Sequence, residues 1–364
     1  MEQSGHPSGE GFTAALPENW KHARNGTASG TSSTFESEPT VMIPDLFTSF
    51  LSKEPSLNPY HIEVGADSME HMRLALNLQP DRFYQLEQRR HDYFAGMLFP
   101  DSDKIKLRTV CDFFNWALPF NSMFLYGSRR RNTESARREM NAIIEAITTS
   151  ESRHEWTPLG DLFRSIWLRC PHEGARQRFG SYAKDYCEAI FRRVQQGIES
   201  VVGFEAYLDT RRPTVECYLA LPLIEYVYDL AIPDKIFESW QFRAIQTLVK
   251  DFLLLHRDVL SYHKEYAAGT HNLNIIQTYR SGGASQQEAY NLVGQELNRL
   301  CERWYLTLSA IPIYGEKQDR QIQKYLKGCE NLLISHLYWS FATDRFFGND
   351  RGTVRHYRQV RALE

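Results

Sequence analysis

His256-Arg257-Asp258-Val259-Leu260-Ser261-Tyr262-His263-Lys264-Glu265-Tyr266, followed by Gly269, His271 and Asn272, is the stretch around which the rest of the chain can be read. Leu248, Phe252, Leu255, Val259 and Tyr262 recur every three or four residues, the period of a helix with a buried face. On that helix Arg257, Ser261 and Glu265 stand four apart on one side, with Asp258 and Lys264 beside them. Side chains so spaced can hold a metal or a phosphate, and the oxygen donors suit Mg2+, which takes one or two side chains plus substrate phosphates and water. The same spacing fits a solvated face of charged pairs, the commoner arrangement.

Outward from this segment the helical period continues. It is carried by Leu107, Val110, Cys111, Phe114, Ala117 and Leu118, and again by Ala289, Leu292, Val293, Leu297, Leu300 and Trp304. Pro100-Asp101, Pro158, Pro171, Pro213, Pro233, Ser281-Gly282-Gly283 and Pro312 separate the helices. The pattern predicts an all-α bundle of ten or more helices, with a closing loop near 345–352. Residues 1–40 are rich in Gly, Ser, Thr, Glu and Pro and predict a disordered N-terminal tail. A single helical domain is expected over 41–350, opening with a helix start at Pro44-Asp45-Leu46-Phe47, and 351–364 reads as a C-terminal tail.

Lys and Arg number 42 against 45 Asp and Glu, a net charge of −3, so no global field draws the chain to nucleic acid or an acidic membrane. No apolar run approaches the roughly 18 residues of a membrane span, and no secretory leader is recognisable, which predicts a cytoplasmic protein. Six widely spaced cysteines with no CxxC pair predict reduced, buried thiols. Aromatic residues make up 13% of the chain, enough for some rings to line a cavity as well as a core.

The segment 257–273 resembles the second metal motif of class I terpene synthases, Asn-Asp-x-x-Ser-x-x-x-Glu, in the form used by fungal sesquiterpene cyclases of the presilphiperfolanol-synthase-like kind. Ser261, Lys264, Glu265, His271, Asn272 and Leu273 fit it, while Arg257 stands where the leading Asn belongs. Asp112 through Gly127 is similar to the helix that ends in the family's aspartate-rich motif, but Asn121, Ser122, Leu125 and Tyr126 occupy the carboxylate positions. Asp112 is the acid that remains, nine residues upstream of Asn121. Arg211-Arg212-Pro213-Thr214-Val215-Glu216 resembles the diphosphate-sensing segment, with Glu216 in place of a Gly at the helix break. Trp339-Ser340 and Arg345-Phe346 resemble the Trp-Ser…Arg-Tyr ending, without the tyrosine hydroxyl.

The resemblance implies a class I terpene synthase α-helical bundle around a central aromatic-lined cavity. Candidate cavity rings are Phe113, Trp116, Phe120, Phe124, Tyr218, Trp339, Phe341 and Phe346, whose faces can stabilise a carbocation. With the carboxylates replaced and Arg257 added, the polar end is expected to be cationic, and Arg211, Arg212, Arg257, Lys264 and Arg345, with Asn121 and Ser261, become candidate substrate contacts. Asp112, Asp258 and Glu265 are the candidate catalytic acids. No cofactor is required on this reading, and Mg2+ is admitted if Asp258, Ser261 and Glu265 still act as ligands. The expected enzyme takes a preformed terpenoid, generates or steers a cation on it, and lets it rearrange, eliminate or be captured by a second reactant such as water or an amine. A Mg2+-dependent cyclase of farnesyl diphosphate and a non-catalytic terpenoid-binding relative are the alternatives. The chain is expected to be a monomer or homodimer, with no nucleic-acid or membrane partner.

Overall fold

The computed structural model describes residues 39–125, 132–148, 157–170, 172–196 and 203–363. Among them the architecture is all-α. The helices are α1 (His61–Ala75), α2 (Pro80–Glu87), α3 (His91–Leu98), α4 (Lys104–Leu125), α5 (Thr133–Thr148), α6 (Pro158–Leu168), α7 (Glu173–Gln196) and α8 (Phe204–Arg211). They continue with α9 (Leu221–Val227), α10 (Asp234–Phe237), α11 (Trp240–Ala267), α12 (Ile275–Ser281), α13 (Gln286–Ser309), α14 (Glu316–Ala342) and α15 (Arg351–Tyr357). Several starts are chemically marked. Thr157 accepts from Gly160 N–H at the head of α6, with Pro158 in the first turn. Asn274 accepts from Ile276 N–H at the head of α12, and Ser285 and Glu288 form a reciprocal capping box on α13.

Two helices are buried nearly all round, as central helices must be. In α4 every residue from Val110 to Asn121 is buried, and in α11 the same holds from Asp251 to Tyr262 apart from Arg257. α11 packs on α12, α13 and α14, while α4 packs on α1, α3, α6 and α9. α7 passes both: Tyr186 lies against Phe120 of α4, and the charge of Arg193 reaches Asp258 of α11. Close helix contact depends on small residues. A Cβ on Gly328 of α14 would meet Ile224 of α9 at 2.4 Å, and one on Gly65 of α1 would meet Asp92 of α3 at 2.3 Å. All six cysteines are buried and free, as their spacing predicts.

The chain ends differ from expectation. The predicted tail 351–364 contains α15 and a strand, β2 (Gln359–Arg361), which pairs antiparallel with β1 (Thr40–Met42) in the register Val41 to Val360. Gln287 clamps Met42 through both its N–H and C=O, His263 Nε2 lies 2.6 Å from the Arg361 carbonyl, and Gln286 accepts from Leu363 N–H. Three-residue strands have no readable period, which is why alternation did not reveal them. Pro44-Asp45 starts no helix. Asp45 instead accepts from Phe47 N–H in a local turn, and Ile43, Leu46 and Leu51 drop into the core. Residues 1–38 of the expected N-terminal tail lie outside the described residues.

Candidate active site

The segment 257–265 occupies the C-terminal turns of α11, where the arginine at the leading motif position does something its spacing alone did not settle. Arg257 Nη1 lies 3.4 Å from Asp258 Oδ1, and its Nη2 donates to Glu265 Oε1 at 3.1 Å. Glu265 Oε2 accepts from Asn274 Nδ2 at 3.1 Å, and the same amide donates to the Asp258 carbonyl. Asp258 Oδ2 accepts from Ile275 N–H at 2.9 Å and from the Tyr207 hydroxyl, while Arg211 Nη2 stands 3.8 Å from Oδ1. Arg211 also donates to Thr214 Oγ1 at 3.0 Å. Burial, with the charge of Glu265, pushes the fully buried Asp258 carboxyl up, against the pull of Ile275 N–H and Arg193. The guanidinium of Arg257 is thus partly neutralised by its own helix, which corrects the expectation of a bare cationic face there.

Basic groups nevertheless converge on this end. Lys264 donates to the Arg345 carbonyl at 3.1 Å, and burial, then the charges of Arg345, Arg89 and Arg257, lowers its ammonium pKa to about 7. The Arg345 guanidinium lies 5.1 Å from the Trp339 ring centre and 5.3 Å from that of Phe346, so the ring that lost its hydroxyl now faces a cation. Arg89 is a member that sequence reasoning missed. Its carbonyl accepts from Trp339 Nε1 at 2.7 Å, a long-range contact with no local signature.

Other predicted residues separate from this cluster. Asp112 is held by Arg108 at 2.8 Å and by Arg169, just past the end of α6, at 2.7 Å, which ties it into the scaffold. Arg212 is bidentate to Asp251 and also pairs with Asp209, joining α8 to α11. Glu216 does not abolish the helix break. Val215 is extended (φ −84°, ψ 100°) between two short 3-10 turns, and no residue of the break has positive φ, so glycine is not required.

The candidate rings divide among several layers. Phe113, Trp116, Phe120 and Phe124 form a chain with Phe163, Phe179 and Tyr186, and Trp116 Nε1 donates to the Leu159 carbonyl. Trp339 stacks on Phe94 at 5.1 Å, and Phe94 on Phe114 at 4.3 Å. Phe341 belongs to a third group with Phe47 and Phe347. Tyr218 packs on Tyr182, with Lys250 Nζ 3.7 Å from its ring centre. A crevice of about 270 Å³ bounded by His71, Asp161 and Ser165 lies between α1 and α6 and shares no residue with the motifs.

The family resemblance implies a divalent metal, and the donor set tests it. At the end of α4, Asn121 is buried with Oδ1 unpartnered among the described residues, and Ser122 donates to the Leu118 carbonyl. Leu125 ends the helix, and Tyr126 lies outside the described residues. On α11 both carboxylates face the Arg257 guanidinium. Ser261 Oγ is buried and unpartnered, but one hydroxyl and one amide oxygen do not make a site for a divalent cation with a guanidinium among its ligand positions. The residues present do not fit the metal. Among the described residues, no group of three or more His, Cys, Asp or Glu is placed to hold one.

Two central helices, α4 and α11, with the broken segment from Arg211 to Ala220 between them in sequence, give the all-α architecture of a class I terpene synthase. The profile of Terpene synthase family 2, C-terminal metal binding, matches residues 112–303, just over half of the chain, and the chain belongs to that family as a terpene-forming lyase. It is similar to silphinene synthase peniA of Penicillium patulum, 33% identical over 342 residues, covering 90% of this chain and 91% of that one. It is 30% identical over 333 residues to (+)-eremophilene synthase of Gibberella fujikuroi, covering 88% and 92%. The fold is shared with a crystal structure of α-eudesmol synthase at TM-score 0.71 and 14% identity, over 80% of this chain and 97% of that one. No described helix is long and apolar enough to cross a membrane.

Proposed function

We propose that this enzyme generates or steers a carbocation on a preformed, sesquiterpene-sized terpenoid, and that arginine and lysine hold the polar end of the substrate where relatives would place a metal. The observation that carries the reading is the bridge from Arg257 to both Asp258 and Glu265, which takes the two motif carboxylates out of service as metal ligands. Arg345 and Arg211 supply positive charge for an anionic or oxygenated substrate end, and Lys264, drawn down to about 7 by burial, gains its proton when such an anion arrives. The Trp339 ring, which has the Arg345 guanidinium 5.1 Å from its centre, brings an aromatic face to this end, and such a face is worth about 0.5–2 kcal/mol to a cation. The cation then rearranges, loses a proton, or is captured by water or an amine.

The named relatives favour a second reading, a sesquiterpene cyclase that acts directly on farnesyl diphosphate. Incubating the full chain with farnesyl diphosphate, and in parallel with oxidised sesquiterpenoids with and without an amine, separates the two when extracts are resolved by mass spectrometry. The expected result is a new product from an oxidised sesquiterpenoid and none from the diphosphate alone. Product from the diphosphate alone would replace the first reading with the second. Tight binding without product from any of them would mark a terpenoid-binding protein without turnover.

A further inference from the structure

Three histidines lie inside the bundle without full hydrogen bonding. His91 of α3 has Nδ1 on Asn115 at 2.9 Å but Nε2 open, His256 of α11 has both ring nitrogens open, and His336 of α14 has Nδ1 open. All three are buried. An unpartnered buried polar atom is uncommon enough in folded proteins to call for an explanation, and here such atoms recur on three helices. The rings are also grouped. His336 and His91 lie on Trp339, at 6.2 and 6.0 Å between ring centres, and His336 lies 6.2 Å from Phe94. His256 is near enough that a charge on it would disfavour one on His336. His336 also feels the charges of Arg345 and Arg257, and His91 those of Arg89 and Arg345, which places both near the basic end.

Building on the cation-steering reading above, we propose that His336 is the proton acceptor that terminates the reaction. The cation loses a C–H bond next to its electron-deficient carbon, that bonding pair becomes the new alkene, and the proton goes to the open ring nitrogen of His336. The resulting imidazolium returns its proton to water when product leaves. Burial, then the charges of His256, Arg345 and Arg257, holds this imidazole well below its ordinary value, so the ring waits neutral. A weak base suffices, because a C–H bond beside a carbocation is far more acidic than any imidazolium. The Trp339 ring, 6.2 Å from the His336 ring between centres, steadies the cation while the nitrogen collects the proton.

The test uses two sesquiterpene-sized ammonium ions, a tertiary one that carries an N–H and a quaternary one that carries none. Binding is followed by tryptophan fluorescence and the histidine rings by ¹⁵N NMR, with the His336 signal assigned through His336→Gln, or through His336→Phe should that variant fail to fold. The tertiary ion is expected to shift the His336 ring nitrogen by hydrogen bonding, and the quaternary ion to leave it in place. Equal shifts from both, or no shift from a bound tertiary ion, would overturn the assignment to His336. Failure of both ions to bind would overturn the cation-cavity reading, and this inference with it. On any substrate the enzyme turns over, His336→Gln should change the ratio of alkene to alcohol products while substrate consumption continues, and an unchanged ratio would overturn it.

Discussion

Arg257→Met is expected to lower folding stability by about 3–5 kcal/mol, the scale at which removal of one partner strands buried charge. Glu265 is buried and loses the guanidinium that donates to it at 3.1 Å, while Asp258, whose carboxyl burial pushes up, keeps Tyr207, Ile275 N–H and Arg211 beside it. Methionine keeps much of the aliphatic stem, which isolates charge from packing. Urea denaturation at neutral pH measures the loss, and the slope against urea should stay constant. Adding Glu265→Gln to the variant should restore part of the stability, because the carboxylate that lost its guanidinium partner is then neutral. A loss below about 1 kcal/mol would mean that the bridge is no more than a surface-type pair, and the reason for excluding a metal from α11 would weaken with it.

Acid should weaken the fold through its buried histidines. Burial drives both His91 and His256 down to about 3, against 6.5 for an ordinary imidazole. A base whose folded value is depressed leaves the unfolded chain holding more protons between those two limits. Its contribution is therefore complete above about pH 6.5 and declines as pH falls toward 3. At pH 5 the decline is about 2 kcal/mol per ring. Asp251 and Glu225, pushed up by burial, act in the opposite direction, so the histidine contribution is best read as a difference. Between pH 7.5 and pH 5, His256→Leu should lose about 2 kcal/mol less stability than the parent. Identical pH dependence in the two proteins would show that His256 is not held neutral by its surroundings.

Much of the fold was legible because helices repeat at a short period that sequence displays directly. The burial of Leu248, Phe252, Leu255 and Val259 on α11, and of Val110, Cys111 and Phe114 on α4, follows that period. That Asn121 and Ser122 carry no carboxylate was equally plain. Partner choice was not. Spacing put Arg257 and Glu265 on one face, but not whether the guanidinium would turn to its own helix or out to a ligand. Asp112 and Arg212 read as site residues from the motifs around them, while Arg169 and Asp251, distant in sequence, tie them into the scaffold. The β1–β2 clasp and the contact of Arg89 with Trp339 depend on long-range pairing that local pattern does not encode. His336 sits among Ile334, Ser335 and Leu337 on an apolar helix, where a histidine reads as ordinary core until its open nitrogen is seen.

The polar end is proposed to work through basic side chains and not through a divalent metal. Product formation by the 364-residue chain in excess chelator and again after Mg2+ is restored, with farnesyl diphosphate and an oxidised sesquiterpenoid offered in parallel, tests this directly. The expected result is one product, formed from the oxidised substrate at the same rate in both conditions. A product that disappears with chelator and returns with Mg2+ would contradict it.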